Sequence, residues 1–252
     1  MNPFDTTAGL ALLLVRPGML VVGTPFFGNV YAPTHARIGI TLLLALTLAP
    51  FVTMPGTLTG GSLVLVVLRE LVIGLALALA LRTVIFAAEF AGHFCGYQVG
   101  LSMGAMIDPQ SGVRNDLLAI LYSSLAIVIC LSTNAHHLLL RALADSYTAL
   151  PIGLGGVGPS MTTSVTQLLG LVFLMGVRLA LPVIVVLGLV ELALALIARV
   201  APSLNVLVAG APVRVIVGLL AVAATIGAMP TLVSRYVPDA LTFAAELARA
   251  FR

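Results

Sequence analysis

Lysine is missing from this 252-residue chain, and all 12 of its basic residues are arginines. Charged side chains of both signs make up only 8% of it, where a soluble globular domain carries roughly 25%. With 60% hydrophobic residues and a mean hydropathy of +1.17, the chain cannot cover itself with a water-compatible surface. A soluble enzyme or a free-standing binding module is thereby excluded. A polytopic membrane protein or a subunit of a large apolar assembly remains. An all-arginine set is what a GC-rich genome gives. Its physical consequence is that every cation is a permanently charged planar fork, suited to paired and partly buried sites. The net charge of +3 is small and dispersed, with no basic patch interleaved with aromatics, so nucleic acid is not an expected partner.

Metal and redox signals are equally scarce. The two cysteines, Cys95 and Cys130, stand in apolar surroundings without ligand spacing and read as packing residues. His136 and His137 are adjacent, so on a helix they point about 100° apart, and no third ligand follows at i+4. They read as helix-end residues, and neither a metal nor a cofactor is expected. The chain has no P-loop, no dinucleotide fingerprint and no H-E-x-x-H site. Gly100-Leu101-Ser102-Met103-Gly104 matches the G-x-S-x-G pattern, but that elbow needs a strand before it and a helix after it. Here a helix precedes and Asp108-Pro109 follows, so no catalytic residue is assigned. Asp5 precedes the first basic residue, Arg16, so the charged start of a cleavable signal is lacking and the first apolar segment is expected to be retained.

What the chain does have is long apolar runs and no strand-like alternation. The expectation is an all-α, membrane-associated protein of about six to eight kinked or broken helices. Residues 8 to 30 read as a helix broken at Arg16-Pro17-Gly18 and again at Thr24-Pro25. Residues 38 to 52 form a segment of about fifteen residues, short of the ~20 that a simple span needs. Residues 62 to 91 form a long helix. Residues 117 to 133 and 138 to 149 follow. The stretch from Leu150 to Pro159 holds four glycines and two prolines and reads as the boundary between two halves. Residues 168 to 198 are a kinked long helix or a tight hairpin at Pro182. Residues 215 to 234 form another segment. A last helix is expected to start at Pro238-Asp239 with Asp239 as N-cap. Arginines lie within the segments as often as between them, so the positive-inside rule yields no orientation.

Charge inside these runs is costly and marks protein interiors, wet cavities or contacts with other subunits. Arg69, Glu70, Arg82, Glu89, Arg178, Glu191 and Arg199 are the candidates. Arg82 and Glu89, seven apart, share a helix face. An internal ion pair fixing register is the plainer reading, and contact with a transported species the sharper one.

Residues 88 to 116 carry the strongest functional signal. Gly92, Gly96, Gly100 and Gly104 recur every four residues and leave one helix face bare, so that another backbone can come close. Asp108-Pro109 then breaks the pattern, and Gln110-Ser111-Gly112 reads as a turn. A polar, glycine-containing loop in so apolar a protein is the oddity that asks for a function.

Six motifs in order, each weak alone, resemble the FliR/SctT family of type III export gates. They are Gly92 through Gly112, with G-Y-Q-V-G-L-S-M and I-D-P-Q-S-G; Asn134 with His136-His137; Leu150-Pro151-Ile152-Gly153; Leu181-Pro182-Val183-Ile184; and Arg199-Val200-Ala201-Pro202-Ser203-Leu204-Asn205-Val206. Ser203 stands where the family usually has glutamine, and Ala211-Pro212 where an aromatic commonly precedes the proline. The L-P-I-G and D-P-x-S-G forms look flagellar more than injectisome. The resemblance implies a single domain built of helical hairpins in a FliP/FliQ/FliR-type assembly, with a FliP-like half, 1–150, and a FliQ-like half, 160–252. It implies assembly with FliP-like and FliQ-like subunits, attachment of an FlhB-like subunit, an FlhA-like export component, and unfolded secreted proteins in transit. The place would be the flagellar basal body in the bacterial inner membrane. Energy would come from other subunits, so this chain would be no enzyme. The loop of Gly100, Leu101, Ser102, Met103, Gly104, Ala105, Met106, Ile107, Asp108, Pro109, Gln110, Ser111 and Gly112 would be the channel plug. Met103, Met106 and Ile107 would form an adaptable dry seal, and ordinary core filling stays open for the methionines. Gly92 and Gly96 would serve helix packing. A small-solute transporter is the alternative from another class.

Overall fold

The computed structural model describes residues 3–27, 33–52, 60–101, 117–152, 161–201, 203 and 205–249. Among them the chain is all-α, with seven α-helices and no strand. They are α1 (Pro3–Gly23), α2 (Thr34–Leu48, continued by a 3-10 turn Ala49–Phe51), α3 (Gly60–Val99), α4 (Leu117–Ser132), α5 (Ala135–Ala149), α6 (Met161–Val200) and α7 (Val206–Arg249). Asn134, in the left-handed conformation at φ 57°, marks the joint between α4 and α5, and His136 and His137 sit in the first turn of α5.

Two of the expected helix breaks do not occur, and the two readings left open at Pro182 are decided. α1 runs unbroken through Pro17. At Pro182 the long-helix reading holds and the hairpin does not, since α6 runs through it as one helix of 40 residues. α7 is a single helix of 44 residues that passes Pro212, Pro230 and Pro238, so Asp239 lies inside it and is no N-cap. The physical reason is a count of lost hydrogen bonds. A proline inside a helix removes one donor, whereas ending and restarting the helix orphans about four donors and four acceptors. In an apolar medium those groups find no water, so the continuous helix is the cheaper structure.

α2, α3, α6 and α7 each contain a run long and apolar enough to cross a membrane, and α4 with α5 adds a fifth if that bent pair counts as one span. Large apolar side chains stay exposed on them, among them Leu43, Leu46, Leu65, Phe173 and Leu189. The chain is a membrane-type helical protein.

Its residues group into two compact units, each discontinuous in sequence. The first takes residues 1–83, 130–170 and 237–252, the second 84–129 and 171–236. In the first, the core is built from Leu12, Leu13 and Leu20 of α1, Ile73, Leu77 and Leu81 of α3, and Leu139 and Leu143 of α5, all fully buried. α3 reaches α1 closely because Gly74 has no side chain: a Cβ there would stand 2.8 Å from the carbonyl oxygen of Arg16. In the second, Val99, Tyr122, Met175, Leu187 and Met229 are among the buried residues.

Candidate functional site

The described part of the glycine ladder lies in the second unit. Gly92 faces the backbone of α4, where an added Cβ would meet Ala119 Cα and Leu118 O at 2.5 Å. No other residue fits there without moving a helix. One turn on, Cys95 Sγ lies 3.9 Å from the Tyr122 hydroxyl, which shares a 2.6 Å hydrogen bond with Thr225 Oγ1 of α7. Tyr122 is fully buried, so this pairing satisfies a polar group that would otherwise be desolvated without return. The helix also packs against α6, where Gly176 admits the Phe90 ring.

α3 ends as a glycine-capped helix should. Gly100 adopts φ 90°, open to glycine at no steric cost. Its amide donates to Tyr97 O at 3.1 Å, and the amide of Leu101 donates to Gly96 O at 3.0 Å. This pair of bonds is the Schellman motif, which satisfies carbonyls that the helix end would leave open. Gly96 is buried and serves as the acceptor. Ser102, Met103, Gly104, Ala105, Met106, Ile107, Asp108, Pro109, Gln110, Ser111 and Gly112 lie outside the described residues.

The first unit holds a polar centre in which sequence reasoning named Glu70 but missed Arg16. Arg16 is fully buried and pairs with Glu70, also fully buried. Its Nε donates to Glu70 Oε2 and its Nη2 to Oε1 at 3.0 Å. Nη2 also donates to Leu150 O at 2.8 Å, and Nη1 donates to Ser146 O at 2.9 Å and to Ser146 Oγ at 3.2 Å. A guanidinium has five N–H groups, and these five contacts use them all. The ring of Tyr147 packs on the guanidinium, 4.4 Å from its carbon to the centroid. The cation therefore closes the C-terminal end of α5, where carbonyls and the helix dipole favour positive charge. It fixes α1, α3 and the Leu150-Pro151-Ile152 segment together.

One signal could have found it. Glu70 has Val66, Val67, Ile73 and Gly74 at the positions of its own helix that could face it. A buried carboxylate without a local cation needs a distant one, and Arg16 stands alone in the first apolar run. The Pro17-Gly18 pair beside it drew the reading toward a chain break.

The other charges are placed differently from one another. Arg82 and Glu89 do not pair: Arg82 Nη1 donates to Gly23 O at 3.3 Å, capping the end of α1, and Glu89 faces His93 at 3.9 Å. The two belong to different compact units. Arg178 Nη1 donates to the Tyr236 hydroxyl at 2.5 Å. Glu191 pairs with Arg214 at 3.0 Å, joining α6 to α7. Arg82, Arg178, Glu191 and Arg199 are exposed within this chain, so the burial expected of them is not provided by the chain itself. Arg69 is half-buried, and two of its nitrogens, Nε and Nη2, lie covered without a hydrogen-bond partner.

The family model of bacterial export proteins, family 1, matches residues 7–240. The chain belongs to that family. Among curated relatives in the bacterial export proteins, it is 30% identical over 227 residues to the flagellar biosynthetic protein FliR of Caulobacter vibrioides, covering 87% of this chain and 90% of the relative. It is 30% identical over 212 residues to the protein of the same name from Escherichia coli, with 84% and 81% covered. For Bacillus subtilis the figures are 29% over 220 residues, with 86% and 85% covered. The match reaches both compact units and overlaps each of the seven helices.

Proposed function

We propose that this chain is a core subunit of the bacterial flagellar type III protein export gate, forming and plugging the channel through which unfolded flagellar proteins leave. The family match over residues 7–240 carries the reading, together with relatives in distant bacteria that share the name flagellar biosynthetic protein FliR. That shared name also favours the flagellar apparatus over a virulence system. The setting is the inner membrane, and the partners are FliP-like, FliQ-like, FlhB-like and FlhA-like components. The 1–150 part is FliP-like and the 160–252 part FliQ-like. The chain performs no catalysis of its own.

The loop from Gly100 to Gly112 is the plug. Two features of its upstream stem support this. Gly92 brings α3 against the α4 backbone, and Gly100 turns the chain out of α3 through a conformation that other residues resist. Met103, Met106 and Ile107 form the seal. Arg178, Glu191 and Arg199, exposed on this chain, face neighbouring subunits.

In the source bacterium, removing the chain abolishes secretion of flagellar proteins. Normal secretion without it would overturn the assignment. Deleting residues 104–110 raises ion leakage through the assembled complex, and unchanged conductance would count against the plug. Stable purification as a lone transporter, with no export components attached, would favour the small-solute alternative.

A further inference from the structure

Within the first compact unit, α1, α2 and α3 bound a cavity of about 470 Å³. That is the size of a small-molecule site, roughly 300–1,000 Å³. Its walls are apolar: Leu14, Met19 and Val22 of α1, Ile38 and Leu42 of α2, and Leu71 of α3. Gly18 lines it without a side chain. Thr41 spends its hydroxyl on the Arg37 carbonyl at 2.9 Å, and its methyl carbon is what lies 3.7 Å from the Gly18 Cβ position.

Polarity collects at one end. Along α2 the lining begins with Thr34 and Arg37 and continues with Ile38, Thr41 and Leu42. Arg37 is the one charged residue among the described residues of the lining, which include no acid. Glu70, beside Leu71, is fully buried and bound to Arg16. The first turn of α2 adds positive sign, because it holds no acid and has no side-chain cap on its amides. Thr34–Phe51 is long and apolar enough to cross a membrane, and Arg37 stands in its first turn. Arginines near the end of a span reach the headgroup level, so Arg37 lies at the depth of lipid phosphates and Leu42 at the depth of acyl chains.

We propose that this cavity is a lipid site: it takes one acyl chain of an anionic phospholipid between α1 and α2, with the lipid phosphate on Arg37. An apolar body with a cation at one end is complementary to an amphiphile with an anionic head. A guanidinium matches two phosphate oxygens, and basic pockets between membrane helices bind anionic headgroups. A soluble anion would leave the apolar walls uncovered. A two-turn piece of another helix, about 10 Å across, would need about twice this volume. The inference requires only the membrane-type fold and stands apart from the export-gate reading.

The test uses the full chain, purified with whatever proteins stay bound, in phosphatidylcholine nanodiscs. They contain a little phosphatidylglycerol with a photoreactive group on its acyl chain, and adducts are mapped by mass spectrometry. Adducts are expected at Met19 and Leu42 in excess of those at Leu43 and Leu46, which lie on α2 outside the cavity and are both 65% exposed. Unlabelled phosphatidylglycerol competes about fivefold better than phosphatidylcholine, as one cation at a membrane surface gives. Arg37→Gln removes that preference and Arg37→Lys keeps part of it. Val15→Phe, on the cavity wall, fills the space and abolishes the excess for both lipids. Should Arg37→Gln lower the amount of chain, the competition in the unaltered chain and Val15→Phe read the same site. Labelling no stronger at Met19 and Leu42 than at Leu43 and Leu46, equal competition by the two lipids, or an excess that survives Val15→Phe overturns the proposal. A helix of a co-purifying protein crosslinked at Met19 in place of lipid overturns it as well. Lipid adducts on a chain that purifies with no export component sustain the lipid site and count against the proposed function.

Discussion

The hydroxyl of Tyr147 donates to the carbonyl oxygen of Leu13 at 3.0 Å, and Leu13 is the residue whose helical donor Pro17 removes. A side chain from α5 thus replaces a backbone amide of α1. Tyr147→Phe keeps the ring against Arg16 and leaves a buried acceptor open, at a cost of about 1–3 kcal/mol. In a Pro17→Ala background the amide of residue 17 returns, and Tyr147→Phe costs much less. Denaturant unfolding in detergent of the four proteins measures the difference. An equal cost in both backgrounds would separate the tyrosine from the proline.

Arg16 and Glu70 make a second double-substitution test. Arg16→Met strands a fully buried carboxylate, and removal of one partner of such a pair costs about 3–5 kcal/mol. Arg16→Met combined with Glu70→Leu removes both charges and costs less than Arg16→Met alone. The steady-state amount of chain in the membrane and its unfolding midpoint both report it. A double variant as unstable as the single one would assign the cost to the lost contacts with Ser146 and Leu150.

The all-α architecture was legible because apolar runs without alternation leave no other choice. The ends of α4 and α5 were close to legible, since asparagine and uncharged runs mark them locally, whereas the local signs ended the long helix at residue 91 and broke the glycine ladder at Asp108-Pro109, so the stop of α3 at Gly100 was not. The continuity of α7 was not legible, and at Pro182 the choice between a long helix and a hairpin stayed open. Proline is a local signal for a break, and the count that decides against it depends on the absence of water around the helix. Arg16 was hidden for a related reason: its partners, Glu70, Ser146 and Leu150, are 54 to 134 residues away. Sequence spacing reads neighbours on one helix and is blind to pairs brought together by packing.

Gly92 and Gly39 differ in what surrounds them, and that difference is measurable. Gly92→Ala drives a Cβ to 2.5 Å from the α4 backbone, and an overpacked site of this kind costs about 1–3 kcal/mol. Gly39 lies inside α2 with nothing within 4 Å of its Cβ position, so Gly39→Ala gains about 0.5–1 kcal/mol from helix propensity. Thermal unfolding should therefore move in opposite directions for the same chemical change. A shared sign would mean that α3 and α4 adjust freely at Gly92.

Gly100 separates backbone strain from packing. Nothing lies within 4 Å of its Cβ position, yet its φ is 90°. Gly100→Ala therefore meets no clash and still costs about 1–2 kcal/mol, the price of a left-handed conformation. Gly100→Asn costs less, because asparagine enters that region more readily. Gly100 joins α3 to the proposed plug, so the two variants should also rank ion leakage through the assembled complex, alanine above asparagine above glycine. Stability and leakage measured on the same preparations decide between two roles. If alanine lowers stability but leaves leakage unchanged, Gly100 is a helix cap only. If the two move together, the cap sets how the plug leaves the helix.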